Sequence, residues 1–278
     1  MEEILFIEQL SANSKRRQRR FPDKALADSF VQSLFQLLFV HLSDDDKRAG
    51  LSLQEEYENL KSLLITLINQ SEHDTANSVA EAAIFFSALP ALYKELMKDA
   101  EAVLAFDPAA QSLDEVLVSY PGFFATAVYR LSHQLWKQKV ALLPRLFAEF
   151  AHSKTGIDIH PAAQIGPSFS IDHGTGIVIG ETAHIGKGVK IYQGVTLGAL
   201  NVAKEEASKK RHPTIEDEVI IYSGATILGG ETVVGRGSII GGNVWLTYSV
   251  PANSVVYHKS EIKIKDRNPF PEPLNFII

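Results

Sequence analysis

The second half of the chain carries an aliphatic residue at every sixth position, and this period limits its possible folds more than any other feature. The spacing begins at Ile159, restarts at Ile179 after a two-residue slip, and restarts again at Ile215 after a longer interruption. An α-helix turns once every 3.6 residues, so positions six apart point in three different directions and form no single apolar face. The period therefore excludes an amphipathic helix here and indicates a repeating structure. The repeat positions are Ile159, Ile165, Ile171 and Ile177, then Ile179, Ile185, Ile191 and Leu197, and finally Ile215, Ile221, Ile227, Val233, Ile239 and Trp245.

Glycines lie between the repeat positions, and together the two features predict a parallel β-helix. Gly174, Gly188, Gly194 and Gly224 each follow a repeat position by three residues. Each hexad would supply one short strand and a turn, with the aliphatic side chain inside a three-sided prism and glycine at the corners. The visible hexads amount to roughly four or five coils. The polar stretch 199–212 interrupts the repeat, so we expect it to loop out of the prism, where long loops often carry function.

The first half has a different period, because its apolar residues recur every three or four positions. Leu26, Phe30 and Leu34 mark one amphipathic helix, and positions from Val79 onward mark another that Pro90 is expected to kink or divide. Similar patterns at 53–68 and 124–135 complete a predicted bundle, and the fold class is therefore α + β, an N-terminal α-helical bundle followed by a parallel β-helix. We divide the chain into a helical domain at 1–150, a β-helix at 151–257 that includes the loop 199–212, and a tail at 258–278.

Composition and charge limit the binding partners and the cellular compartment that are expected for this chain. The chain has 27 Lys and Arg against 33 Asp and Glu, a net charge of −6, so a basic nucleic-acid surface is not expected. It has no cysteine, and therefore no disulfide, thiolate metal site or cysteine nucleophile. No apolar run reaches the ~18 residues of a membrane span, and the N-terminus lacks the pattern of a secretory signal. We therefore expect a cytoplasmic protein that binds neither nucleic acid nor membrane, and we interpret the basic residues at 15–20 as a solvated arm.

Four ordered motifs identify the β-helix more closely. The sequence reads DIHPA at 158–162, IDHGTGIVIGET at 171–182, YQGVTLG at 192–198 and RHP at 211–213. This set resembles the serine O-acetyltransferases, and the preceding helical half resembles them less sharply. The resemblance implies transfer of the acetyl group of acetyl-CoA to the hydroxyl of L-serine, the first step of cysteine biosynthesis from serine. It also implies a left-handed β-helix, a trimer or a dimer of trimers with active sites between neighbouring prisms, and no permanently bound cofactor.

The resemblance assigns the catalytic residues. A serine hydroxyl is a poor nucleophile at neutral pH, so its acylation needs a base near the hydroxyl proton, and imidazole has the best-matched pKa. His173 matches the family's general base, and Asp158 matches the aspartate that pairs with it and stabilises the imidazolium. No residue suggests an acyl-enzyme, so direct transfer from the thioester is expected.

The resemblance also assigns residues that hold the two substrates. A zwitterionic amino acid needs carboxylates for its ammonium group and a guanidinium for its carboxylate. The positions that match the family's serine site are Asp107, Asp172, Arg211 and His212, with Glu181 either bracing the site or capping a corner. The positions that match its acetyl-CoA groove are Gly198, Ala199, Ser223 and Gly224, and Lys204 is a candidate for the phosphates. In this family a C-terminal isoleucine inserts into cysteine synthase, and Ile278 fits that partner or else packs on its own trimer.

Three other functions stay open on the sequence alone. An acetyltransferase of another hydroxyl acceptor would share His173 but lack the serine-specific residues. A zinc hydratase on a β-helix would need three converging imidazoles, and the repeat region has no pair of histidines separated by four residues. A non-catalytic assembly module would use the hexads only to build a trimer.

Overall fold

The computed structural model describes residues 2–16, 21–40, 52–72, 75–200 and 209–259. Helices occupy the first half of the described chain, and short strands occupy the second half. The helices are α1 (Glu2–Arg16), α2 (Lys24–Phe39), α3 (Leu53–Glu72), α4 (Thr75–Phe106), α5 (Leu113–Ser119), α6 (Pro121–Lys137) and α7 (Leu143–Thr155). The helices predicted from the apolar periodicity are thus confirmed. Pro90 lies inside α4 without dividing it.

The helical bundle is held by an apolar core of large side chains. Phe30 of α2, Leu64 of α3, Phe85 of α4 and Phe147 of α7 are each at most 1% exposed. Phe30 stacks on Phe147 with ring centroids 5.5 Å apart, which joins the second helix to the last one. Phe30 and Leu64 sit on the faces that the periodicity marked as apolar, and burial of those faces explains why α2 and α3 pack into the bundle.

The strands form a prism with three parallel faces. Face 1 contains β1, β4, β7, β10 and β13; face 2 contains β2, β5, β8 and β11; face 3 contains β3, β6, β9, β12 and β14. Up to β13 each face adds every third strand, and β14 then follows β12 on face 3, so the chain winds around a common axis for about five turns, as the hexad period predicted. The strands are β1 (Asp158–Ile159), β2 (Gln164–Ile165), β3 (Ser170–Asp172), β4 (Val178–Ile179), β5 (His184–Ile185), β6 (Lys190–Tyr192), β7 (Thr196–Gly198), β8 (Thr214–Ile215), β9 (Ile220–Ile221), β10 (Thr226–Leu228), β11 (Val233–Val234), β12 (Ile239–Ile240), β13 (Trp245–Leu246) and β14 (Val255–Val256).

The prism resumes in register after the interruption of the repeat. β7 ends at Gly198, and β8 then pairs with β5 through His184↔Thr214 and Ile185↔Ile215. β8 therefore takes the next place in the stack after β7, as it would in an uninterrupted coil. We name the corner where face 1 turns into face 2 the second corner, and the corner where face 3 turns into face 1 the first corner.

The hexad phase differs from the predicted one in the last coils. Val233, Ile239 and Trp245 were expected to point inward, but the buried positions are Val234, Ile240 and Leu246. Trp245 is 63% exposed. The prediction was wrong by one residue, because the corner after β10 contains one residue more than a hexad supplies.

Helix α6 fixes the bundle to the first coil of the prism. The Tyr129 hydroxyl donates to the Ala163 carbonyl at 2.6 Å, and the Arg130 guanidinium donates to the Gly166 carbonyl at 2.9 Å. Arg130 also pairs with buried Asp99 of α4, whose carboxylate accepts the Phe169 backbone N–H at 2.9 Å. These contacts connect both α4 and α6 to the prism, so they set the position of the residues that follow α4. None of the described helices is long and apolar enough to cross a membrane.

Candidate active site

His173 lies at the first corner, directly after β3, with its imidazole facing outward. Its backbone adopts the left-handed conformation (φ 58°), and its side chain is 72% exposed. Gly174 continues the turn at φ 99°, where a Cβ would lie 2.5 Å from Ile157 Cδ1, so only glycine fits between the coils. His173 Nε2 is 3.8 Å from Asp172 Oδ1, an electrostatic contact that is too long for a hydrogen bond. The corner therefore presents an accessible imidazole beside a carboxylate.

Asp107 joins this group from the helical half. It follows α4 directly and accepts two hydrogen bonds, from the Tyr120 hydroxyl at 2.7 Å and from the Ala109 backbone N–H at 2.8 Å. These bonds, and more weakly the charges of Lys190 and His173, hold the pKa of Asp107 below its usual range. Asp107, Tyr120, Asp172 and Lys190 line one small cavity. We name the group formed by Asp107, Tyr120, Asp172, His173 and Lys190 the His173 cluster.

A second group of functional side chains lies at the second corner. Arg211 forms an ion pair with Glu181, and the backbone N–H of Arg211 donates to Thr182 Oγ1 at 2.9 Å. His212 is 7% exposed, and its backbone N–H donates to the same hydroxyl oxygen at 3.0 Å. Thr182 thus holds both residues of the Arg-His pair next to Glu181. We name Glu181, Thr182, Arg211 and His212 the His212 cluster.

The hydrogen bonds and burial of His212 define its charge and tautomer. Burial, and after it the charge of Arg211, lowers the pKa of His212 to about 4, so the ring is neutral at physiological pH. The Thr182 backbone N–H donates to His212 Nδ1 at 3.0 Å, which leaves the proton on Nε2. A Cβ on Gly180 would overlap this ring, so glycine is required beside it. His212 can therefore donate a hydrogen bond through Nε2 to an anionic group.

Asp158 lies at the start of β1 and faces away from the core. It sits one coil below the first corner, since the neighbouring Ile157 packs under Gly174 and the Asp158 N–H donates to Ile177 O at 2.9 Å. The described residues show no hydrogen bond or ion pair between Asp158 and His173. Their pairing, expected from the resemblance, stays a prediction.

Face 1 separates the two clusters within one chain. Residues 176–181 cross from the first corner to the second, and extended chain of that length covers roughly 15 Å. An amino acid is about half as long or less. A single serine therefore does not reach both the His173 cluster and the His212 cluster of the same chain.

The residues expected to contact acetyl-CoA fall at both corners. Gly224 lies directly above Gly194 and Gly176 in the first corner, and all three have positive φ. A Cβ on Gly194 would lie 3.4 Å from the Gly224 backbone, so the column exposes main chain without side chains between its rungs. Ser223 flanks this column. Gly198 instead ends β7 and Ala199 follows it at the second corner. Lys204 lies outside the described residues.

Several members of these clusters were missed by sequence reasoning. Tyr120 and Lys190 carry no motif that connects them to Asp107, and Thr182 appeared only as part of the motif at 171–182. Lys210 also lies at the second corner, where its Nζ donates to the Thr182 carbonyl at 2.9 Å and to the Pro213 carbonyl at 3.2 Å. It thus braces the second corner. Among the described residues, no group of three or more potential ligand side chains could hold a metal ion.

Comparisons of sequence and of structure with known proteins both find serine acetyltransferases. The chain is 53% identical over 234 residues to the plasmid serine acetyltransferase of Synechococcus elongatus, covering 82% of this chain and 70% of that protein. It is 46% identical over 164 residues to the serine acetyltransferase of Bacillus licheniformis, covering 59% of this chain and 74% of that protein. The structure of Entamoeba histolytica serine acetyltransferase isoform 3 in complex with cysteine superposes with a TM-score of 0.75 at 34% identity, covering 85% of this chain and 84% of that one. No protein-family model matches.

Proposed function

The chain belongs to the serine acetyltransferase family, and from this premise we propose which of its residues carry out the reaction. The reaction moves the acetyl group of acetyl-CoA to the hydroxyl of L-serine and yields O-acetyl-L-serine and CoA. It is the first step of cysteine biosynthesis from serine. The observation that carries the residue assignment is the exposed imidazole of His173 at the first corner, beside Asp107 and Asp172.

His173 is the general base. Its imidazole accepts the proton of the serine hydroxyl, and the hydroxyl oxygen then bonds to the thioester carbonyl carbon. The carbon–sulfur bond breaks, and the imidazolium returns the proton to the departing CoA sulfur. Asp158, one coil below, orients the imidazole and stabilises its protonated form. The proton, the acetyl group and the sulfur are thereby all accounted for without an acyl-enzyme.

Serine is held at its two charged ends. The ammonium group binds the carboxylates of Asp107 and Asp172 in the His173 cluster, which leaves the hydroxyl near the base. The carboxylate binds the guanidinium of Arg211 and the Nε2–H of neutral His212, while Glu181 fixes the guanidinium through its ion pair. The Entamoeba relative was solved with cysteine, an amino acid that differs from serine only by sulfur in place of oxygen, which supports a pocket of this size.

The active site is built from two chains. The clusters lie at opposite edges of face 1, so one serine reaches both only when the first corner of one prism faces the second corner of another. In a closed ring of three prisms this contact occurs three times, and every first corner faces the second corner of a neighbour. We therefore include a homotrimer, either alone or as a dimer of trimers, in the proposal.

Acetyl-CoA lies along the groove between neighbouring prisms. The glycine column with Ser223 and Gly224 offers main-chain groups to the pantetheine arm, and Gly198 and Ala199 of the neighbouring prism line the other wall. Lys204 is proposed to meet the CoA phosphates. Acetyl-CoA is a co-substrate, and no permanently bound cofactor takes part in the proposed mechanism. The proposed contact of Ile278 with cysteine synthase lies outside the described residues.

Release of free CoA thiol tests the proposal, because the chain has no cysteine of its own to react with a thiol reagent. The wild-type protein should release CoA from acetyl-CoA only when L-serine is present. His173→Ala should lower kcat by about 10² to 10⁴, the usual contribution of a general base. His184→Ala, on face 2, is the matched control and should retain wild-type activity.

Two outcomes would contradict the proposal. Near-normal turnover in a folded His173→Ala protein would remove His173 as the base. Serine-independent release, or release only with another hydroxyl acceptor, would remove L-serine as the substrate and favour a different acetyltransferase.

A further inference from the structure

Asp107 is not part of any regular element that could fix its side chain. It lies in the short connection between α4, which ends at Phe106, and α5, which begins at Leu113. Asp172 and His173, in contrast, are set by the rigid prism. If Asp107 binds the serine ammonium group together with Asp172, other side chains must hold it at the correct distance from the prism. We propose that Tyr120 and Lys190 are these positioning residues, an inference that rests on the role of Asp107 in the proposed function.

Lys190 reaches the end of α4, next to Asp107, from the prism side. It belongs to β6, is 7% exposed, and its Nζ donates to the Phe106 carbonyl at 3.2 Å. That carbonyl is among the last ones of α4, where the helix leaves acceptors unsatisfied and the helix dipole favours a cation. The Nζ also lies 4.8 Å from the ring centroid of Tyr192. Lys190 thus ties the residue immediately before Asp107 to the strand that pairs with β3.

The prism itself does not require a cation at this position. Lys190 pairs with Ser170 on one neighbouring strand and with Ile220 on the other. Ile220 shows that an apolar side chain serves the same structural position one coil away. A buried lysine is unfavourable unless its charge is matched, so the hydrogen bond to the end of α4 and the attraction of the nearby Asp107 carboxylate explain the residue better than packing does.

Tyr120 holds the carboxylate from the opposite side. It joins α5 to α6, and its hydroxyl donates to Asp107 Oδ2 at 2.7 Å. The hydrogen bond to Asp107 raises the pKa of Tyr120 to about 12, so the hydroxyl remains a donor throughout the physiological range. Because the Ala109 N–H occupies Oδ1, each carboxylate oxygen has one directed partner and retains a lone pair for an incoming ammonium group.

Two substitutions separate positioning from folding. Lys190→Met keeps the buried aliphatic chain and removes the Nζ, and Tyr120→Phe removes only the hydroxyl. Each should raise the KM for L-serine about tenfold, because a hydrogen bond with one charged partner is lost, while kcat and the KM for acetyl-CoA change less than about threefold. Lys94→Met, an exposed position on α4 that lies twelve residues before Phe106 and so about 18 Å from it along the helix, removes the same charge and should leave all three parameters at wild-type values.

The kinetic split decides the outcome. An unchanged serine KM in both variants, or equal increases in the two KM values, would overturn the positioning role. If Lys190→Met does not fold, Tyr120→Phe decides on its own. That variant keeps the aromatic ring, so the packing around position 120 is preserved. Wild-type protein without serine-dependent CoA release would overturn the proposed function itself, and the inference with it. If the wild type is active and both variants keep the wild-type KM for L-serine, only the inference is overturned.

Discussion

His212, in the proposed serine site, is a buried and neutral ring that can donate one hydrogen bond. Its backbone and its Nδ1 are both held by Thr182, which leaves only the Nε2–H to meet a ligand. Protonation would place a second cation beside Arg211 in a buried position, which is unfavourable. In the proposed site the serine carboxylate therefore meets one cation of the His212 cluster, Arg211, and His212 contributes a directed hydrogen bond without adding charge.

This arrangement makes stability depend on pH. The pKa of His212 is about 4 in the folded protein, against 6.5 for an ordinary histidine, so the unfolded chain binds more protons between these values. The free energy of unfolding should therefore fall as pH decreases from about 6.5 to 4, and the part due to His212 is at most about 3 kcal/mol. In His212→Asn, whose side chain does not titrate, the free energy of unfolding measured with urea should decrease less over the same pH range. Equal pH dependence of variant and wild type would contradict the buried neutral ring.

At the scale of elements, the sequence pattern predicted what depends on local spacing and missed what depends on contacts between distant segments. The hexads indicated the prism because each coil buries its own aliphatic residue. The extra residue after β10 shifted the phase, since a corner can accommodate it without breaking the ladder and periodicity alone gives no sign of it. Tyr120 and Lys190 were missed for a different reason: Lys190 is 84 positions from Phe106, and no local pattern records such a contact. The proximity of Asp172 to His173, in contrast, was visible in the sequence because the two residues are adjacent in the chain.

The docking of the helices on the prism depends on one buried ion pair. Arg130 and Asp99 are 4% and 0% exposed, and each also binds backbone of the prism. Arg130→Met should lower the free energy of unfolding by about 3–5 kcal/mol, because it leaves the Asp99 charge buried without its cation. The double variant Asp99→Asn with Arg130→Met should recover part of this loss. Urea unfolding at one fixed protein concentration measures both, and a double variant no more stable than Arg130→Met alone would contradict the uncompensated charge as the cause.

At the scale of the whole molecule, a site divided between chains makes complementation possible. His173→Ala damages only the first-corner half of a site, and Arg211→Ala damages only the second-corner half. Each variant alone should be inactive by loss of the base or of the carboxylate ligand. In a mixed assembly, a site is intact when its first corner comes from the Arg211→Ala chain and its second corner comes from the His173→Ala chain.

Random mixing of equal amounts of the two chains gives that combination in about one site in four. Co-expression with two different affinity tags, followed by sequential purification on both, isolates the mixed assemblies, whose CoA release should reach at least this fraction of wild type. Mixtures of the separately purified variants without subunit exchange are the control and should remain inactive. If each site were contained in one chain, every site in a mixed assembly would carry one of the two substitutions and would be inactive. Mixed assemblies with no more activity than either parent would therefore exclude the two-chain site.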